Sequence, residues 1–206
     1  AYFQKPGTVK KALDIADMGI KHWKLTRYSN KEQLRINLGD DRAKILSTVL
    51  KLLELAQKNH QKESKEEHKN RITFMIAFIN ENVGMLQEAL QAYSDLIALQ
   101  AMDCGVDLTF IIMKASVILT HVGNHSQAVE YLEFLLDDPP ATEGYGRTHI
   151  LAFLAMTYEH HPKRADFATT LKKTYLDLQE AYSDDLSKGN RPQTNEKVMK
   201  KMLEEK

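Results

Sequence analysis

The sequence predicts an all-α fold built from antiparallel helix pairs stacked on one another, and three observations point to it. The five prolines sit at 6, 139, 140, 162 and 192, so nothing between Gly7 and Asp138 breaks a helix outright. Apolar residues recur three or four apart over most of the chain, which places them on one helical face. A spacing of 39 residues then relates matching features in the second part of the sequence.

The helices follow in order. Val9, Ala12, Leu13, Ala16, Ile20 and Trp23 share a face. Leu46, Val49, Leu50, Leu53 and Ala56 do the same, and this segment is apolar on more than one side, as expected of a helix buried between neighbours. Residues 72–79 are almost continuously apolar; extended through Asn80 the run is too long for an ordinary strand, so length decides for helix. Leu86, Ala89, Leu90, Tyr93, Leu96 and Ile97 form the next amphipathic face, and further helices are predicted over 108–120, 126–136, 148–159 and 165–182. Residues 31–38 fit either a short helix or a strand, because Leu34, Ile36 and Leu38 alternate. The mixed-charge stretch 58–70 has no apolar face and reads as a loop or the solvated start of the helix that follows.

Within this pattern Gly84 and Gly123 lie 39 apart, as do Ala89 and Ala128, Tyr93 and Leu132, and Leu119 and Tyr158. In the third copy Pro162 takes the place of the glycine. Glycine or proline at a turn lets one helix stop and an antiparallel one start. A small residue lets the two backbones approach, and a large apolar one a turn later fills the groove. One pair alone cannot bury both apolar faces, so pairs must stack.

The stretches from Asn82-Val83-Gly84 through Ala89 and Tyr93, and from Val122-Gly123 through Ala128, Leu132 and Pro140, resemble the tetratricopeptide-repeat (TPR) family, as does Tyr158 at the end of its first helix. The resemblance covers 71–182 and extends to 7–57 only as generic helices. It departs from the family in its period, longer than the usual length of about 34, and in lacking the leading tryptophan and paired leucine-glycine of the first helix. Ala77, Ser116 and Ala155 stand where that glycine would be and preserve small size. The resemblance implies an α-solenoid, a right-handed TPR-like superhelix with lengthened connections, whose first helices line a concave face that holds a partner segment. The residues it places there are Arg71, Phe74, Phe78, Glu81 and Asn82; then Phe110, Met113, Val117, Thr120 and His121; then His149, Ala152, Met156, Glu159 and His160. Aromatic and methionine side chains suit an apolar partner segment. The alternative for Phe74, Phe78 and Met113 is ordinary core. Phe, Met and His on these faces argue against the lysine, arginine and asparagine clamp by which some members of the family grip a carboxylate.

Composition limits the other classes of function. Apolar residues make up 43% and charged residues 27%, ordinary for a folded domain, and 28 basic residues balance 28 acidic ones. That balance weighs against nucleic acid as the main partner. No run reaches the roughly 20 apolar residues of a membrane span. The single cysteine, Cys104, excludes an internal disulfide and a cysteine-rich zinc module and fits a reduced, cytoplasmic setting. Residues 1–4 read as partly vector-derived and, with no initiator methionine, lead us to expect a fragment. His121 and His125 straddle Gly123 and His160-His161 occupy the equivalent turn, but they read as solvated turn histidines, since zinc needs three or four converging ligands. Cys104 lacks the companions of a catalytic nucleophile, and no phosphate-binding glycine loop is present.

The expected organisation is an N-terminal helical pair or cap over 7–57, repeats over 71–182, and a tail over 183–206. In the tail, residues 187–192 break the helix, Thr194 or Asn195 caps a short one, and Val198, Met199, Met202 and Leu203 share a face. So short a helix must dock on something. The expected function is non-catalytic, without cofactor or metal: holding a peptide or helix of a partner protein in an intracellular assembly. Self-association into a homo-oligomer is the alternative within binding proteins, and a small metal-binding regulatory or catalytic domain the one outside them.

Overall fold

The computed structural model describes residues 48–51, 53–54, 66–101, 104–137, 146–190 and 196–204, and among them every regular element is helical. In chain order these are α1 (Glu66–Val83), α2 (Leu86–Ala98), α3 (Leu108–His121), α4 (His125–Asp137), α5 (Arg147–His160), a 3₁₀ turn (Arg164–Phe167), α6 (Ala168–Ser187) and α7 (Glu196–Glu204). Residues 48–51 and 53–54 are also helical; Val49, Leu50 and Leu53 are buried there, while Thr48, Lys51 and Glu54, three apart, are exposed, so the described part of this segment has a solvent face and is not buried on all sides. The expected helix over 9–23, the ambiguous segment 31–38 and residues 1–4 and 58–65 lie outside the described residues. The chain divides into two compact units, Ala1–Val106 and Asp107–Lys206.

In the first unit α1 packs on α2. The end of the mixed-charge stretch turns out to be helix, since α1 begins at Glu66 and carries an exposed Lys69. From Ile72 to Asn80 only Thr73 is not fully buried, so α1 is covered on nearly all sides. The turn to α2 is a Schellman motif: Gly84, at φ +87, donates its N–H to the Glu81 carbonyl at 3.2 Å, and Met85 donates to the Asn80 carbonyl at 2.9 Å. Ala89, Tyr93 and Leu96 are the buried face of α2.

In the second unit α3, α4, α5 and α6 pack in succession and α7 rests on α6 and α5. Asp107 caps α3 by accepting from the Phe110 N–H at 2.7 Å. The α3–α4 turn repeats the first one 39 residues on: Gly123, at φ +86, donates to the Thr120 carbonyl at 3.2 Å and Asn124 to the Leu119 carbonyl at 2.8 Å. The shared register extends to packing. Ala77, Ser116 and Ala155 are each 0% exposed, and so are Ala89 and Ala128. Helix lengths match as well, with 13 residues in α2 and α4 and 14 in α3 and α5.

The third turn differs, and Pro162 is the cause. A residue before proline is pushed out of the helical region, and His161 accordingly ends α5 in extended backbone at φ −66, ψ 133. The chain then makes the 3₁₀ turn before α6 starts at Ala168, three residues later than the predicted start. α6 also runs five residues past its predicted end at Tyr182. The reason lies at the start of α5, where the Thr148 hydroxyl donates to Asp185 Oδ2 at 2.5 Å. Thr148 is fully buried, and a buried hydroxyl needs a partner. α6 ends on another left-handed glycine, Gly189 at φ +79. Among the described side chains of α7, Val198 is buried.

Candidate functional site

The residues that the resemblance places on a concave face fall into two groups by accessibility. In the first unit Phe74 and Phe78 are 6% and 4% exposed and stack on each other with centroids 5.9 Å apart, Phe74 also meeting Tyr93 at 6.3 Å. Asn82 is buried and donates through Nδ2 to the Phe78 carbonyl at 2.6 Å. Arg71 and Glu81 are half-buried, and Glu81 Oε2 accepts from the Tyr93 hydroxyl at 2.9 Å.

In the second unit Phe110, Met113 and Ala152 are buried, with the buried Lys114 Nζ 5.9 Å from the Phe110 ring centroid. Val117 is 37% exposed, while His121 and His160 are exposed and His149 and Met156 half-buried. The Thr120 hydroxyl donates to the Ser116 carbonyl at 2.9 Å and lies 3.3 Å from the Thr157 hydroxyl, a point of contact between α3 and α5. Burial lowers the His149 pKa, with the Asp185 carboxylate partly opposing.

The accessible members keep the register. Val117 and Met156 are 39 apart, and so are His121 and His160. Two helices that meet at Thr120 and Thr157 therefore keep equivalent positions exposed or half-buried. Glu159 is different, because its carboxylate is already engaged inside the unit. It faces Lys201 of α7 at 2.5 Å and Arg164 at 3.3 Å, and it accepts from the Tyr175 hydroxyl at 3.4 Å.

Sequence reasoning missed a cluster at the α5–α6 connection. The sequence suggests solvated turn histidines; instead His125 and His161 are 9% and 8% exposed, and their rings meet at 5.8 Å. The Lys163 N–H donates to His161 Nδ1 at 3.0 Å, so that nitrogen carries a lone pair. His161 Nε2 lies 3.4 Å from the Ser126 hydroxyl. His125 Nδ1 is buried with no hydrogen-bond partner. The Phe167 ring closes the cluster, 4.6 Å edge-on from His161 and 5.2 Å from Tyr158. The Tyr158 hydroxyl in turn donates to Glu133 Oε1 of α4 at 2.6 Å. Burial, this hydrogen bond and the Glu133 charge push the Tyr158 pKa well above the ordinary phenol value. The signal available in the sequence was the His161-Pro162 pair, since a pre-proline residue leaves the helix and turns its ring elsewhere.

Among the described residues no three of His, Cys, Asp and Glu converge as a metal site requires. Cys104 is buried, with its thiol 3.5 Å from the Ala101 carbonyl. No described helix is long and apolar enough to cross a membrane. Compared with protein families, with characterised proteins and with solved structures, the chain matches none.

Proposed function

We propose that this chain is a non-catalytic, TPR-like helical-repeat module that holds a peptide or helix of a partner protein within an intracellular assembly. The observation that carries the reading is the accessible strip on α3 and α5. Val117 and His121 on one helix, and Met156 and His160 on the next, occupy equivalent places in the 39-residue register, and the two helices touch through Thr120 and Thr157. A valine, a methionine and two imidazoles provide adaptable apolar contact with a few hydrogen-bonding groups at the edge. Phe110 and Met113 are buried and so do not count among the contact residues.

The test is capture of partners from cell extract by the purified chain, beside a Val117→Glu, Met156→Glu double variant shown by circular dichroism to be folded. Partners identified by mass spectrometry and lost from the variant would support the strip as the binding surface. Retention of the same partners by the folded variant would refute it. Self-association has its own support in Phe134, Leu176 and Leu186, which are 48%, 44% and 47% exposed on α4 and α6. Sedimentation of the unmodified chain decides that reading directly.

A further inference from the structure

The His125–His161 cluster has no part in the proposed binding strip, yet it is built with specific chemistry. We propose that His125 and His161 form an acid-sensitive latch: with both rings neutral they hold the α5–α6 connection against the first turn of α4, and proton uptake below neutral pH releases that connection while the helices remain formed.

The hydrogen bonds define the neutral state. Because the Lys163 N–H points at His161 Nδ1, that ring has its hydrogen on Nε2, toward the Ser126 hydroxyl. A proton arriving at Nδ1 would set two donors against each other and break the link to Lys163. On the other side, His125 Nδ1 is enclosed without a partner, so a proton there would be a buried cation with nothing to accept from it. The second ring is 5.8 Å away, close enough that two charged rings would repel.

Among the described residues no carboxylate is hydrogen-bonded or ion-paired to either ring. The first turns of α4 and of α6 contain no acidic residue. From the end of α5 come Glu159, already facing Arg164 and Lys201, and the exposed His160. The connection itself contributes Lys163, Arg164 and Asp166, all exposed, and α3 contributes the exposed His121 at its last turn. Burial, then His161 and His160, accordingly disfavour the charged form of His125. A depressed histidine pKa stabilises the closed arrangement above the unfolded value, and that stability is lost as pH falls below it.

What the latch holds is the piece of chain on which the C-terminal part depends. The connection carries Arg164 and Phe167, and it is followed by α6, on which α7 rests. The release expected is therefore local, centred on residues 161–167, and distinct from unfolding of α3, whose core amides lie elsewhere.

The experiment is hydrogen exchange by mass spectrometry on the whole 206-residue chain at about pH 7.5 and about pH 5.5. Rates are corrected for the intrinsic pH dependence of exchange. The expected result is loss of protection over 161–167 at the lower pH, about tenfold for each pKa unit separating closed and open states, with α3 unchanged. His161→Gln keeps an acceptor for the Lys163 N–H and cannot titrate, and His125→Phe keeps a ring without a proton site. Either folded variant should lose the pH dependence, whereas His121→Gln should keep it. Wild-type NMR gives a readout that needs no variant: the Lys163 amide resonance should move with the titration of His125. A Lys163 amide unmoved over this range, or pH-dependent exchange retained in a folded His161→Gln chain, would overturn the latch.

Discussion

Replacing Tyr158 by phenylalanine isolates one interaction that ties α5 to α4. Tyr158 is 1% exposed, so phenylalanine fills the same space and leaves no cavity. What is lost is the hydroxyl, which donates to Glu133 at 2.6 Å. A hydrogen bond to a charged group contributes about 1.5–3 kcal/mol. Glu133 itself is exposed and regains water when the partner is gone, which reduces the expected loss to about 1–1.5 kcal/mol. In a domain the size of the second unit, each kcal/mol lowers Tm by about 4–8 °C. Urea melts of the single variants and of Tyr158→Phe with Glu133→Gln give a coupling energy, expected near 1 kcal/mol. The pH dependence provides a second check. A raised tyrosine pKa means that the folded chain holds the phenolic proton more tightly than the unfolded one. Stability is then fully present below the unfolded value of 10.0 and falls as pH rises above it. The phenylalanine variant should lack that component of the alkaline loss. Additive single variants together with an unchanged alkaline profile would refute the reasoning.

Two further outcomes are expected. Gly123→Ala should cost about 1–2 kcal/mol from backbone conformation alone, because nothing lies within 4 Å of an added Cβ while φ is +86; a neutral effect in a urea melt would contradict the left-handed turn. Ending the chain at Asn190 removes α7, with its buried Val198 and the Lys201 contact to Glu159, and should destabilise by about 1–3 kcal/mol. An unchanged Tm would show that α7 does not cap the unit.

Features controlled by local chemistry could be read from the chain. Gly84 and Gly123 announced their turns because only glycine adopts that φ without cost, and the small residues at 77, 116 and 155 announced close packing. The 3₁₀ turn was not legible: Pro162 shows that the helix stops, but the path onward depends on where Phe167 can pack. Nor was the end of α6. Residues 183–187 are polar apart from Leu186 and read from the sequence as part of the tail, whereas they continue α6, where Asp185 meets Thr148 of α5. The candidate surface was the least legible part. From Ile72 to Ile79 in α1 only Thr73 is not apolar, and from Thr109 to Leu119 in α3 only Val117 is not buried, so over these runs periodicity no longer distinguishes a face toward solvent from a face toward a neighbour. Phe74, Phe78 and Met113 looked like Val117 in that respect, and only Val117 is exposed among the four.

The matched helix lengths have a consequence for how such a chain can change. An extra residue inside α3 or α5 would turn everything after it by about 100° and carry buried side chains into water. Within a pair the joint is too tight to absorb it, as Gly84 and Gly123 are followed almost at once by the next helix. The intervals between pairs, residues 99–107 and 138–146, are of equal length, and each runs from a 13-residue helix to a 14-residue one. Gain or loss of residues should therefore be tolerated at 99–107 and 138–146 and nowhere within the pairs. The 39-residue spacing is then a sum of two parts, helices whose length is fixed by their packing and intervals between pairs whose length is not. Related chains with shorter or longer periods should align with this one helix for helix once those intervals are set aside.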